Sequence, residues 1–259
     1  MSSKITIIGA GSVGSTIAYT LAHDEIASEI VLIDINKEKV EGEVMDIEQG
    51  TCFRSPVSLV AGDYADAKDS DIVIITSGIA RKPGQTRIEL TQTNVNILKS
   101  ITPQIVKEAP NAKYIIVSNP VDIMTYVFTK ISGLSTDEYY EEMKAHGKNV
   151  KPLDKEAMLE YVQKSGGQVI AKKGATFYAV SATVCQLVGL ILAASDSLAT
   201  VSSMLHGEYG IEDVCLSTLT LVGPNGIQGK VQMRMNKEEV ELLKKSANAL
   251  KEVIAQIEL

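Results

Sequence analysis

The sequence predicts an α/β protein: a doubly wound parallel sheet with helices on both faces, then a shortened α+β part with an antiparallel meander. Three observations predict it. Short apolar runs without alternation recur through the first half, each followed by a helical pattern, as expected of a sheet covered on both sides. The first run, Ile5-Thr6-Ile7-Ile8, leads into Gly9-Ala10-Gly11-Ser12-Val13-Gly14, which opens the first helical pattern. From residue 199 onward that rhythm gives way to strand-like segments separated by turn residues.

Taken in order, residues 4–8 read as a strand, 12–23 as a helix and 29–34 as a strand. A charge-rich helix is expected over 37–49 and a short strand over 57–61. Residues 71–76 and 113–118 are buried-type strands, flanked by helices over 88–109 (stopped by Pro110) and 121–132. The second half carries charged helices over 137–146 and 154–164, and a strongly apolar, buried helix over 175–194. Segments 199–206, 213–222 and 226–235 form the meander, with turns at Tyr209-Gly210 and Pro224-Asn225-Gly226. The last helix, 237–257, gathers Leu242, Leu243, Leu250, Val253 and Ile254 on one side. No repeat or low-complexity linker occurs.

The glycine motif sits between strand and helix, where its residues have separate physical tasks. Gly9 permits a tight turn, Gly11 lets backbone approach a pyrophosphate, and Gly14 lets the helix pack close to the sheet. The helix start near Gly11 aims free N–H groups and a positive dipole end at phosphates. Asp34 closes the next apolar run, where a carboxylate accepts hydrogen bonds from an adenosine ribose and repels a 2′-phosphate. NAD is therefore expected over NADP, on a Rossmann-type fold. Glycines serving only turns and packing are the plain alternative; the strand–turn–helix–strand–Asp order weighs against it.

Bulk properties narrow the field. With 259 residues and 45% hydrophobic content the chain can bury a real core. A net charge of −7 without a basic run excludes nucleic acid and anionic membranes as expected partners. Residues 185–194 are too few to span a bilayer. Met1-Ser2-Ser3-Lys4 runs directly into the first strand, so no secretory signal is expected. Cys52, Cys185 and Cys215 lack metal-ligand spacing and read as reduced thiols of a cytoplasmic protein, with no metal site.

A loop from Ser77 to Arg87 leaves the carboxyl end of the strand ending at Thr76, the ligand-binding end of such a sheet. Pro83-Gly84 suits it to act as a lid. Arg81 and Arg87 can each grip a carboxylate or polarise a carbonyl; a merely solvated basic loop has the same composition.

Gly9–Gly14, Asp34, Gly62-Asp63-Tyr64, the Arg81–Arg87 loop, Asn94 and Val117-Ser118-Asn119-Pro120-Val121-Asp122 together resemble the lactate/malate dehydrogenase family. The tail from Lys173-Gly174-Ala175-Thr176 through Tyr209-Gly210 is similar to its bacterial lactate dehydrogenase branch. The resemblance implies that Gly9, Gly11, Val13, Gly14, Asp34, Lys39, Tyr64, Gly78 and Ile79 line the adenosine and pyrophosphate site. It places Val117, Ser118 and Asn119 near the nicotinamide, with Asn119 also touching substrate and a cis Asn119–Pro120 bond. Arg87 becomes the catalytic loop arginine that stabilises the developing alkoxide, and Thr176 a neighbour of the substrate side chain. Arg81 occupies the discriminator position, where lactate enzymes carry glutamine and malate enzymes arginine; Thr176 and the tail lean toward lactate, Arg81 toward malate. The family forms dimers or tetramers, and the 37–49 helix resembles one of its interface helices, so a homo-oligomer acting on a small 2-oxo or 2-hydroxy acid is implied.

One departure stands out. Family members follow the Asn-Pro-Val-Asp helix with a further strand, a helix bearing an Asp and a substrate-binding Arg, and a Gly-Glu-His-Gly-Asp hairpin; none is present. Ile131-Ser132-Gly133-Leu134 instead passes directly to Ser135-Thr136-Asp137, leaving the chain roughly fifty residues short as a length prior. Ile131–Leu134 then reads as a fusion of two similar segments. The division expected is a nucleotide-binding domain at 1–134 and a truncated substrate domain at 135–259. The loss removes the imidazole proton donor, its orienting Asp and the carboxylate-gripping Arg, and bares a sheet edge. His23 reads as a solvated cap, His146 as a surface turn and His206 as a strand end. Three readings follow: an impaired NAD-dependent 2-hydroxy-acid dehydrogenase, an NAD-binding pseudoenzyme, and a structural subunit assembling with full-length relatives.

Overall fold

The structure, a computed structural model, describes residues 3–51, 56–79, 87–134, 155–193 and 196–258, with backbone alone at 87, 155–159 and 162–163. The expected helix over 137–146, Cys52, Arg81 and His146 lie outside the described residues.

Five parallel strands form the first sheet: β1 (Lys4–Ile8), β2 (Glu29–Ile33), β3 (Ser58–Ala61), β4 (Ile72–Ile75) and β5 (Lys113–Ile116), in the order β3-β2-β1-β4-β5. The unbroken apolar runs are explained by what covers them. Ile5, Ile7, Ile30, Leu32, Ile72 and Ile74 face α1 (Ser12–His23) and α6 (Tyr178–Leu192). Ile8, Val31, Ile33, Val73 and Ile75 face α3 (Arg87–Glu108) and α4 (Val121–Ser132). Most are fully buried, each contributing about 1.5–3 kcal/mol of transfer free energy. The helix α2 (Lys37–Thr51) packs on β3 through Val40, Val44 and Ile47.

Several strands are a residue or two shorter than expected, while α2 runs on to Thr51. The helix α5 (Lys155–Lys173) continues well past residue 164, through Gly166-Gly167, and nothing in its packing explains that length. It ends at Gly174, whose φ of +86° is open to glycine. The apolar segment expected to be a buried helix over 175–194 is the shorter α6, buried along one face. Ser181, Val184, Cys185, Val188 and Ile191 pack on α1 and the sheet, while Ala182, Thr183 and Gln186 are exposed.

The meander forms a second sheet, β6 (Ser197–His206), β7 (Glu212–Gly223) and β8 (Gly226–Lys230), antiparallel in that order. It docks on α4 through Ser202 Oγ donating to Asp122 Oδ1 at 2.5 Å and Lys130 Nζ beside Asp213 Oδ1 at 2.6 Å. The last helix, α7 (Lys237–Ile254), is capped by Asn236 and Glu239 in reciprocal hydrogen bonds. Its buried stripe runs through Leu243, Ala247, Leu250 and Ile254, packed with Leu205, Ile211 and Val214. Leu242, expected on that side, is 61% exposed, because one residue along a helix turns about 100° away from the stripe.

A buried ion pair holds the β6–β7 connection. Glu208 is 2% exposed and Lys230 8%. Lys230 Nζ lies 3.2 Å from Glu208 Oε1 and also donates to the Met204 carbonyl. Burial pushes the Glu208 carboxyl up, but the N–H groups of Glu208 and His206, with Lys230, outweigh it and hold the carboxyl below its ordinary value of 4.5. Its contribution is therefore complete above about pH 4.5 and is lost as pH falls through the lowered folded value. Lys230→Ala strands a buried carboxylate and is expected to cost about 3 kcal/mol at pH 7, measured by urea unfolding. That cost should shrink toward acid as the stranded group protonates; a cost independent of pH would contradict the pairing.

Candidate nucleotide and substrate site

The functional residues gather at the carboxyl ends of β1, β2, β4 and β5, where strand order reverses between β1 and β4. Gly9 leaves β1 with φ +110°, and its N–H donates to Ile33 O at 2.7 Å. A Cβ on Gly14 would lie 1.8 Å from the Gly9 carbonyl oxygen, so the first turn of α1 sits directly on the turn that precedes it. Gly11 is different. It caps α1 in extended conformation, and a Cβ there would meet nothing within 4 Å. The fold itself does not require glycine at that position; the open space in front of the helix N-terminus does, if a diphosphate is to approach.

Two residues missed in the sequence lock this turn. Thr76 Oγ1 donates to Gly9 O at 2.9 Å, and Ser77 Oγ to Ile8 O at 2.9 Å. Both directly follow β4, the signal by which they were available. Val13 is partly buried, its carbonyl approached by Ser181 Oγ of α6 at 3.4 Å.

Asp34 is half-buried just beyond β2. It accepts from the N–H groups of Ala10 at 2.7 Å and Asn36 at 3.1 Å. Of a carboxylate's roughly four lone-pair positions, two are left for ribose hydroxyls. Tyr64 opens a short 3₁₀ turn (Tyr64–Ala67) capped reciprocally by Asp63 and Asp66; its ring packs on the core and burial raises its hydroxyl pKa. Lys39 lies along α2, 4.0 Å from Glu43, while Lys37 reaches across to Gly62 O at 3.1 Å and to Asp63. It is Lys37 that ties the β2 and β3 loops together.

On the other side of the switch point, Asn94 of α3 is 3% exposed and acts as a staple. Its Oδ1 accepts from Ile79 N at 2.9 Å, and its Nδ2 donates to Asn119 O at 2.8 Å. The side-chain amide also lies against Gly78, where a Cβ would approach it to 3.3 Å. Ser118 Oγ donates to Ser77 O at 2.6 Å, and Val117 N to Ile75 O at 2.9 Å. Gly78, Ile79, Val117, Ser118 and Asn119 thus form one rigid rim. The Asn119–Pro120 bond is cis, and the Asn119 side chain is exposed at the mouth.

The substrate end is less fully drawn. Thr176 is exposed in the link between α5 and α6, beside the cation–π contacts of Lys173 with Phe177 and Tyr178. Arg87 begins α3 by its backbone. His23 closes α1, a 12-residue helix, about 18 Å from its N-terminal end, with Nδ1 3.1 Å from Asp24. His206 is exposed at the end of β6, its N–H bonded to Glu208. Among the described residues no cluster of His, Cys, Asp or Glu fits a metal ion, and no single helix is long and apolar enough to cross a membrane. Cys185 and Cys215 are buried free thiols, pushed by burial to pKa values of about 11 and about 12.

A doubly wound sheet with an open glycine turn, an acid beyond β2 and a stapled rim at β4 and β5 defines a dinucleotide-binding oxidoreductase scaffold. Residues 3–140 match the lactate/malate dehydrogenase NAD binding domain, and residues 130–258 the lactate/malate dehydrogenase alpha/beta C-terminal domain. The L-lactate dehydrogenase of Acetivibrio thermocellus is 38% identical over 309 aligned residues, covering 99% of this chain and 98% of the relative. L-lactate dehydrogenase 1 of Clostridium acetobutylicum is 40% identical, covering 98% of each. Among solved structures, the minor L-lactate dehydrogenase from Enterococcus mundtii superposes with a TM-score of 0.89 at 28% identity, covering 100% of this chain and 99% of that one. The malate dehydrogenase from Archaeoglobus fulgidus in complex with NADH gives 0.89 at 30% identity, covering 98% and 99%. The chain belongs to the lactate/malate dehydrogenase family, and its cofactor is NAD.

Gly11 and Gly14 separate binding from folding. Gly14→Ala is expected to destabilise the protein by about 3 kcal/mol, because the clash is with backbone. Gly11→Ala should leave stability within about 0.5 kcal/mol yet weaken NADH binding at least about tenfold. Denaturation paired with fluorescence titration checks both; equal NADH affinity for Gly11→Ala would contradict the phosphate-facing assignment.

Proposed function

We propose that this chain is an NAD-dependent 2-hydroxy-acid dehydrogenase of lactate/malate type whose hydride half is intact and whose proton-transfer half is missing, so that turnover is impaired. The observation that carries the reading is that the parallel sheet ends at β5 among the described residues, joined to a length mismatch. The aligned stretch against the Acetivibrio relative runs to 309 residues, against 259 in the whole chain, so at least 50 positions fall opposite gaps here. The two family domains overlap at residues 130–140, which supports a junction of similar segments at Ile131–Leu134.

Bound NAD supplies and accepts the hydride. This chain's residues hold and orient it: Gly9–Gly14 at the diphosphate, Asp34 at the ribose, Val117–Asn119 at the nicotinamide. Asn119, exposed at the rim, offers its amide to a 2-oxo acid. Arg87 is assigned to the developing alkoxide and Arg81 and Thr176 to the substrate's far end. Reduction of the carbonyl also needs a proton at its oxygen, a role worth about 10²–10⁴-fold in rate. Of the described histidines, His23 is at the wrong end of α1 and His206 at the end of β6.

The experiment is NADH oxidation by the purified chain, with pyruvate and oxaloacetate offered separately. Rates are expected at least about 10³-fold below those of the Acetivibrio enzyme with either substrate, while NADH still binds. Turnover matching the relative would overturn the impairment, and the substrate preferred would then read what Arg81 does. Full activity in an Arg87→Ala variant would remove the role given to Arg87.

A further inference from the structure

The free edge of β5 forms one wall of a cavity of about 650 Å³. Lys113 N donates to Asp71 O and Val117 N to Ile75 O. The alternation of a parallel ladder therefore turns the N–H and C=O groups of Tyr114 and Ile116 away from β4, into the groove. Among the described residues no strand pairs with them. Phe128 and Thr129 of α4 wall the groove on one face of the sheet, Leu187 and Ile191 of α6 on the other. Ser203 of β6 also lines it; it is 2% exposed and its hydroxyl has no hydrogen-bond partner among the described residues. The groove is partly open, bounded also by the second sheet, and largely apolar with Thr125, Thr129 and Ser202 among its lining. Unpaired main-chain groups facing it are costly and are best met by an occupant with its own row of amides.

The walls specify the occupant further. A strand about 4.8 Å from β5 would project alternate side chains toward α4 and toward α6, so its apolar residues must be consecutive rather than alternating. The chain between α4 and α5 has no such run: residues 135–154 read STDEYYEEMKAHGKNVKPLD, where no three apolar residues stand together. We propose that this groove binds an extended, consecutively apolar segment of another polypeptide as an added strand beside β5.

The probe is a fluorescent synthetic peptide with about five consecutive Val and Ile residues between lysines, N-methylated on alternate amides so that only one edge can pair. It is titrated onto the full chain by anisotropy, with amide hydrogen exchange followed at Tyr114 and Ile116. Saturable binding is expected, with exchange at those two amides slowed at least about tenfold. The same peptide methylated on every amide, and the Leu187→Glu variant with the original peptide, should each bind at least about tenfold more weakly. Equal binding of both peptides would mark a cavity for any apolar molecule and overturn the proposal. Binding that leaves Tyr114 and Ile116 exchange unchanged, or no binding, would do the same. A chain that self-associates in sedimentation and loses the peptide on dimerising would assign the groove to a second copy, which also overturns it.

Discussion

Everything at the carboxyl end of the parallel sheet hangs on one close approach, that of Gly14 to the Gly9 carbonyl oxygen. With no side chain between them, α1 starts immediately above β1, and its free N–H groups point into the crevice between β1 and β4. Thr76 and Ser77 close hydrogen bonds onto that same turn, coupling β1 to β4. Asn94 and Ser118 carry the coupling on to β5. A single steric constraint, met only by glycine, thus fixes where the free N–H groups of α1 point and where the rim beside them stands.

The parts legible in sequence were those governed by local rules. Unbroken Ile and Val runs forced strands buried on both faces, and the glycine spacing marked the turn between the first strand and helix. What stayed hidden depends on distant partners. Lys37 and the Glu208–Lys230 pair look like ordinary polar residues until folding brings Gly62 and Met204 to them, and Asn94, singled out by resemblance, shows its stapling role only once Ile79 and Asn119 flank it. Leu242 was misplaced because neighbouring leucines in a helix share composition but not direction. The extent of burial of α6 was overread for a related reason: apolar content does not say how many sides are covered, and α6 is covered on one. The placements of Gly11, Asp34 and Asn119 come together at one mouth, whereas Arg81 and His146 lie outside the described residues.

Under the function proposed above, the same constraint lets a shortened family member keep its cofactor site. The nucleotide crevice is built from the carboxyl ends of β1, β2, β4 and β5, each held by neighbours that are present. Nothing in that set leans on a strand beyond β5. The Tyr114 and Ile116 amides face a groove at the outer edge, which is where the proposed loss of a strand and of the proton donor falls. Under that proposed function, cofactor binding and proton transfer are separable because they rest on different strands.

The most direct measurement is a fluorescence titration of the purified chain with NADH and, separately, NADPH. The account predicts saturable binding of one NADH per chain, with NADPH weaker by at least about 100-fold because Asp34 repels a 2′-phosphate. Failure to bind NADH, or equal affinity for the two, would contradict it.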